Sequence, residues 1–171
     1  MFQKLIRFFV FVVLFAISAP IAFAQNTPPP FAAPPFIPYG MSITLDNAKK
    51  AVAAAVVEAR KNNWTMAVAI VDPGGYLVYF EKMDGTQTGS VDISLDKARS
   101  AALFRRPTKV FEDGLAAGGS GWRLLGLRGA VVVAGGIPII VDGKLIGAIG
   151  VSGGTNIQDE ATADAGSKAV R

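Results

Sequence analysis

The stretch GGIPIIVDGKLIGAIGVSGG, residues 135–154, decides the fold, because it places two apolar runs on either side of a hairpin dipeptide. Asp142-Gly143 suits a type I′ turn, in which both central residues need a positive φ. The runs before and after it are therefore predicted to be neighbouring antiparallel strands. The glycines match neither the dinucleotide fingerprint nor the P-loop, so they indicate bends and positions where another backbone or a flat ligand approaches.

A second hairpin and several helices are predicted on the N-terminal side of this stretch. Asp72-Pro73-Gly74-Gly75 separates two further apolar segments, WTMAVAIVD and YLVYFEKM. Apolar residues at spacings of three and four predict helices over residues 44–62, capped by Thr44 or Ser42, and over residues 90–104. A short third helix is expected within residues 107–119, and a last one is expected to begin near Ile157.

The order of these elements is helix, two strands, two helices, two strands, helix. Strands joined by hairpins, with helices before, between and after them, favour an antiparallel sheet covered by helices over a parallel doubly wound sheet. The sequence thus predicts one α+β domain over residues 42–171.

Residues 1–24 are predicted to be a signal peptide. Lys4 and Arg7 precede an apolar run at residues 8–17, and Ala22-Phe23-Ala24 has the small-x-small pattern of a cleavage site. An uncleaved anchor is the alternative, although the run is short for a membrane span and Pro20 interrupts its far end. We expect an exported protein, periplasmic or extracellular, with no stable membrane insertion after cleavage.

Residues 25–41 are predicted to be a linker. Residues 26–40 contain six prolines in fifteen positions, a composition that favours extended polyproline conformation. Phe31 and Phe36 leave open the alternative that a partner binds this segment as a proline-rich ligand.

Charge and composition exclude several classes of function. Without residues 1–24, 15 basic side chains stand against 13 acidic ones, a net charge of +2 with no long run of one sign. This balance is too small for a protein that binds nucleic acid by tracking phosphates. The chain has no histidine and no cysteine, which excludes a cysteine nucleophile, a Ser-His-Asp triad, the usual zinc sites and histidine-ligated haem.

Three segments in order, MAVAIVDPGGYLVYFEKMDG, SLDKARSAALFRRPT and GGIPIIVDGKLIGAIGVSGGTNIQDEATADAG, resemble the GlcG/HbpS-like family of haem-binding or haem-degrading domains. That family includes the C-terminal domain of PduO-type proteins, and the resemblance covers residues 42–168. It implies a two-layer α+β sandwich related to PAS and profilin-like domains, a homo-oligomer, and haem as the cofactor. Some members coordinate haem through histidine, which this chain lacks.

If the resemblance extends to haem, another side chain or none must serve as its axial ligand. The available groups are Met66, Met83, Tyr39, Tyr76, Tyr79 and, as a weaker oxygen ligand, Thr108. Met66 lies within a strand pattern and is interpreted first as core, whereas Met83 ends a strand beside Asp84-Gly85, where a side chain reaches a cleft.

Cations for the haem propionates are predicted at the end of the second helix. Arg99 lies on that helix, Arg105 and Arg106 close it, and Lys109 follows one turn later. The alternative is a solvated helix end, which arginine favours through the helix dipole. Arg123 and Arg128 flank a glycine-rich loop and are secondary candidates.

The turn before the last helix is the second predicted site. Gly153 and Gly154 would expose N–H groups that can hold a carboxylate or a phosphate. Asp159 and Glu160 are interpreted first as residues of the helix N-terminus and second as an acid–base or metal-binding pair. No catalytic residue and no metal ligand is assigned.

The function predicted from the sequence is an exported haem- or tetrapyrrole-binding protein that acts in haem handling, haem degradation or redox sensing. Two alternatives stay open: a module that binds another small organic anion at the arginines and the Gly153-Gly154 turn, and a non-catalytic oligomeric accessory protein. No nucleic-acid partner is expected.

Overall fold

The computed structural model describes residues 36–170; the predicted signal peptide and residues 25–35 of the predicted linker lie outside the described residues. The elements follow the predicted order with small changes of boundary. They are α1 (Leu45–Lys61), β1 (Ala67–Val71), β2 (Leu77–Lys82), α2 (Ser90–Phe104), α3 (Lys109–Ala116), a 3₁₀ helix (Gly119–Gly126), β3 (Gly136–Val141), β4 (Lys144–Ser152) and α4 (Asn156–Lys168).

The four strands form one sheet in the order β2-β1-β4-β3, and every neighbouring pair is antiparallel. Both predicted hairpins are present, because β1 pairs with β2 and β3 pairs with β4. Asp142 and Gly143 both have positive φ, as the type I′ turn requires. The α+β class with an antiparallel sheet of hairpin-linked strands is therefore confirmed.

Helices cover both faces of this sheet. Val68 and Ile70 of β1 pack into a core shared with α1 and α4, whereas Ala69, between them, packs against α2. Successive side chains of a strand point to opposite faces, so α2 lies on the other face from α1 and α4. Two layers are implied by the family resemblance, and the described residues form three.

The α2 face of the sheet is built from small residues, which lets the helix lie close to the strands. A Cβ placed on Gly150 of β4 would come within 2.0 Å of the carbonyl oxygen of Ser94 in α2. Ile149, the preceding residue, faces the other way, and its Cδ1 would lie 2.4 Å from a Cβ placed on Gly166 of α4. Four glycines of the 135–154 stretch are thus in close contact with neighbouring backbone: Gly136, Gly147, Gly150 and Gly153.

Both terminal helices begin at a side-chain cap, and of the two only the cap of α1 was predicted. The Thr44 hydroxyl accepts the amide of Asn47 at 3.3 Å, so Thr44 rather than Ser42 caps α1. Thr155 and Gln158 form a capping box at the start of α4.

The segment at residues 36–43, which we call the strap, belongs to the folded domain. Pro38 and Gly40 exchange backbone hydrogen bonds of 2.9 and 2.7 Å with Leu145 of β4, and Ile43 lies in the core at 4 % exposure. The strap occupies the side of β4 that β1 leaves free when it turns into its hairpin. Residues 36–41, the described part of the predicted linker, therefore pack on the domain.

No helix within residues 36–170 has the length and apolar character needed to cross a bilayer.

Candidate functional site

Lys97 of α2 forms the centre of a buried polar cluster that we call the Lys97 junction: Lys97, Gly135, Val151, Gly154 and Asp159. The Lys97 ammonium donates to Asp159 Oδ2 at 2.7 Å and to the carbonyl of Val151 at 3.0 Å. Its side chain is 1 % exposed and that of Asp159 is 4 % exposed. The pair joins α2 and α4 across the end of β4. Burying an ammonium group this fully is costly unless a carboxylate compensates its charge.

Both carboxylate oxygens of Asp159 are engaged at the junction. Asp159 Oδ1 accepts the amide of Gly154 at 3.0 Å. Burial raises the pKa of Asp159 above its ordinary value, and the hydrogen bonds from Lys97 and from the Gly153 and Gly154 amides oppose that rise. A Cβ on Gly135 would lie 2.8 Å from the Asp159 Cβ and 3.0 Å from the Lys97 Nζ, so glycine leaves room for the pair.

The predicted anion site at Gly153 and Gly154 therefore already holds a carboxylate, and that carboxylate belongs to the chain. Asp159 reaches back from the first turn of α4 to this turn. The interpretation of Asp159 as a residue of the helix N-terminus agrees with this geometry. A ligand role for the two glycines stays a prediction.

Glu160, the next residue, faces a second and more open charge cluster. Burial raises its pKa, Lys109 lowers it, and the carboxylates of Glu112, Asp113 and Asp164 raise it further. Glu112 is itself engaged, since it accepts the Ala134 amide and the Asn156 side-chain amide, each at 2.8 Å. Within residues 36–170 no group of three or more acidic side chains is arranged to hold a metal ion.

The predicted propionate cations are engaged at different places in the fold. Arg99 donates to the carbonyl of Gly75 at 3.1 Å and so closes the β1–β2 hairpin. Arg105 donates to the strap carbonyl of Ile37 at 3.0 Å and lies over the rings of Phe36 and Tyr39 at 5.4 and 5.2 Å. Arg105 also ends α2 with a left-handed backbone at φ 52°.

Arg106 and Lys109 are also engaged within the chain. Arg106 donates to the Phe104 carbonyl at 3.2 Å and lies over the ring of Phe111, 5.5 Å from its centroid. Burial lowers the pKa of Arg106, and the neighbouring Arg105 lowers it further. The hydrogen bond and charge of Asp113 raise the pKa of Lys109. The four cations thus do not converge on one pair of carboxylates.

Thr108 and the two methionines take different positions from one another. Thr108 is fully buried, and its hydroxyl accepts the Gly136 amide at 2.9 Å, which ties the start of α3 to β3. Met66 is fully buried core, as expected. Met83 is half-buried against the core on the α1–α4 face, so its side chain lies away from Thr108, which contacts the α2 side of β3.

The three candidate tyrosines differ in exposure. The Tyr39 hydroxyl donates to the carbonyls of Leu103 and Ala102 at 3.2 and 3.5 Å. Tyr79 is half-buried against the core, and Tyr76 is 73 % exposed at the hairpin.

We call the segment at residues 118–129 the arm. From the sequence, only its two arginines, Arg123 and Arg128, were secondary candidates. It carries the 3₁₀ helix, packs mainly against α3, and buries no residue of that helix. Trp122 and Leu125 are each 63 % exposed and Leu127 is 41 % exposed. A 3₁₀ helix repeats every three residues, so Trp122 and Leu125 lie in one row along it.

The arm also carries two cations without partners among the described residues. Arg123 and Arg128 are exposed, and neither forms a hydrogen bond or an ion pair within residues 36–170. No Asp or Glu occurs in the sequence between Asp113 and Asp142. In the sequence, the arm is recognisable because it lies in this interval without acidic residues and has Trp122 and three leucines next to Arg123 and Arg128.

The arm therefore joins an exposed apolar surface to unpaired positive charge. Exposed apolar side chains grouped beside cations make the arm a candidate contact for a ligand or partner.

Comparison with known proteins places this geometry in a family. Residues 43–168 match the family model described as "Haem degrading protein HbpS-like". Protein GlcG of Escherichia coli K12 is 42 % identical over 101 residues, which is 59 % of this chain and 74 % of GlcG.

Two solved structures have the same fold. A double mutant of Streptomyces reticuli HbpS has a TM-score of 0.70 and 31 % identity, and the match covers 82 % of this chain and 99 % of that one. The "PduOC:Heme Complex" has a TM-score of 0.69 and 25 % identity, with 77 % and 96 % covered. A family model that spans the whole described domain, with relatives that agree in sequence and in fold, makes this chain a member of the HbpS-like family.

Proposed function

We propose that this protein binds haem or a related tetrapyrrole, and that the arm is the principal contact surface. The observation that carries the proposal is the exposed Trp122 and Leu125 row beside two unpaired arginines, in a chain of the HbpS-like family. A relative of the same fold was crystallised as a haem complex.

The arm's chemistry fits that of haem. A porphyrin is a flat apolar ring with two carboxylates, and the arm offers apolar side chains with Arg123 and Arg128 on the same segment. When bound, the haem iron supplies redox chemistry, and the chain supplies the apolar surface and the positive charge.

The arm has no methionine, tyrosine, histidine or cysteine that would serve as an axial ligand. We therefore expect weakly ligated, high-spin haem, because strong-field side chains are absent from the contact surface.

We further propose that the protein is exported and acts in haem handling outside the cytoplasm. Support for export is the pattern of Lys4, Arg7, the apolar run and Ala22-Phe23-Ala24 in the sequence.

The small-anion alternative has less support, because the amide of Gly154, its best donor, already binds Asp159.

The test is a hemin titration of the chain from Gln25 onward, which keeps every described residue, followed by the Soret band. We expect saturable binding that weakens about tenfold, or about 1.4 kcal/mol, in Arg123→Gln/Arg128→Gln. The matched control is Lys50→Gln/Arg60→Gln, which removes the same charge from exposed positions of α1.

The same titration separates the arm from the residues that the sequence favoured. If Met83→Leu or Arg105→Gln weakens binding and the arm variant does not, the haem site lies away from the arm. If the wild-type chain gives no saturable Soret change, haem binding itself is wrong.

A further inference from the structure

The arm covers only one side of a flat ligand. It packs mainly against α3 and directs Trp122, Leu125 and Leu127 outward, with 41–63 % of each side chain exposed. A porphyrin laid on this row would have one face on protein and the other in water. Binding sites for ligands of this size normally bury most of the ligand surface, so a single arm is an incomplete site.

The charges on the arm determine what can cover the second face. Arg123 and Arg128 are unpaired among the described residues, and the acid-free interval supplies no neutralising carboxylate nearby in sequence. Two arms brought together directly would place four guanidinium groups near one another, which is unfavourable. A haem between them would supply two propionate carboxylates and two apolar faces.

We propose that haem joins two copies of this chain arm to arm, with one haem for each pair of chains. This inference rests on the proposed haem function. The face of the ring that one arm leaves in water is covered by the arm of a second copy. The contact is isologous, since the same patch of each chain meets one face of the ring. Arginines from both copies face the propionates, so ligand and partner are complementary in charge and in apolar surface.

The arrangement makes association depend on the ligand. Apolar burial favours pairing only when the ring fills the space between the arms, and the arginine charges oppose pairing without it. A chain that is monomeric without ligand should therefore double its mass on adding hemin, and higher ionic strength should weaken the doubling.

The experiment combines sedimentation velocity with the Soret titration on the chain from Gln25 onward, at increasing ratios of hemin to chain. The expected result is a doubling of mass that saturates, together with the Soret change, at one hemin per two chains. Saturation at one hemin per chain with no change of mass overturns the inference and leaves haem binding intact. Absence of any Soret change overturns the haem function and this inference with it.

Two matched variants guard against hemin-driven aggregation. Trp122→Ser removes the largest apolar side chain of the arm, whereas Tyr76→Ser removes an aromatic side chain that is 73 % exposed at the β1–β2 hairpin. We expect the hemin-dependent doubling to be lost in the first and kept in the second. If both variants double as the wild type does, arm-to-arm pairing is wrong.

Discussion

The Lys97 junction and the arm place similar groups, cations beside glycines, in opposite situations. At the junction the Lys97 ammonium has two partners within 3.0 Å and is 1 % exposed. On the arm, Arg123 and Arg128 are exposed and have no partner within residues 36–170. The junction is a fully satisfied structural contact, whereas the arm leaves its apolar and cationic side chains exposed to solvent.

This difference bears on how motifs are interpreted. The glycine pairs and the Gln158-Asp159-Glu160 element are the most recognisable features of the sequence, and they meet at the junction, where they hold helices against the sheet. The less regular arm carries the exposed apolar and cationic groups. The conspicuous motifs of this chain thus stabilise the fold, and the surface that we propose for the ligand lies in a segment without a motif.

The largest expected effect separates the two regions by stability. Lys97→Met leaves the Asp159 carboxylate buried without its cation, so we expect a loss of about 3–5 kcal/mol in the free energy of unfolding at pH 7. Urea denaturation measures it, with Lys49→Met on the exposed side of α1 as control. A loss equal to that of the control would show that the pair is not buried as described.

A second substitution sharpens that result. Asp159→Asn in the Lys97→Met background removes the unpaired charge and keeps an oxygen for the Gly154 amide. The double variant should recover about 1–2 kcal/mol relative to Lys97→Met. If it were less stable than Lys97→Met, charge would not be the cause of the loss.

Two glycines compare the packing of the α2 face of the sheet with that of the arm, using the same small change. Gly150→Ala directs a Cβ into the Ser94 carbonyl oxygen, 2.0 Å away, and should destabilise the fold by about 1–3 kcal/mol. Gly126→Ala in the arm meets nothing within 4 Å and should be neutral or stabilising by less than about 1 kcal/mol. Thermal unfolding compares the two, and equal effects would contradict the contrast between a packed face and an open arm.

The smallest expected effect is on the pH dependence of stability, and it comes from Glu160, the residue after Asp159 of the Lys97 junction. Because the pKa of Glu160 is raised in the fold, the folded state binds its proton more tightly than the unfolded chain does, and stability falls as pH rises through that window. Glu160→Gln removes the cost of ionisation, so the variant should be more stable at pH 7 by less than about 1 kcal/mol. Near pH 4 and below, the difference should vanish.

Melting temperatures at pH 4 and pH 7 check this, with Asp84→Asn in an exposed turn as the control for net charge. A stabilisation of Glu160→Gln that was larger at pH 4 than at pH 7 would reverse the assigned sign.

Local patterns predicted most of the fold. Residues 90–104 coincide with α2, and the Asp142-Gly143 turn has the expected backbone, because both depend on contacts within a few residues. The number of layers was not predictable in this way. The number of layers depends on whether helices cover one face of the sheet or both. In β1 small and large side chains alternate between the two faces, and a short apolar run in the sequence does not show that both faces are covered.

The site was less predictable, because its contacts are distant in sequence. Nothing near Lys97 in the sequence indicates its partner Asp159, which lies 62 residues away. Arg105 was predicted to meet a ligand and instead holds Ile37, 68 residues away. Exposure of Trp122 is likewise a tertiary property, so only the absence of acidic residues around it was visible in the sequence.

The strap has a mechanical consequence for the domain. A force applied to the chain at residue 36 would first load the hydrogen bond from Arg105 to the Ile37 carbonyl. It would then load the backbone hydrogen bonds of Pro38 and Gly40 with Leu145. These contacts lie before α1 in the chain, so the force would reach β4 and the end of α2 before it reached α1. Because both of these backbone hydrogen bonds end on Leu145, the force would be transmitted to β4, one of the two central strands of the sheet.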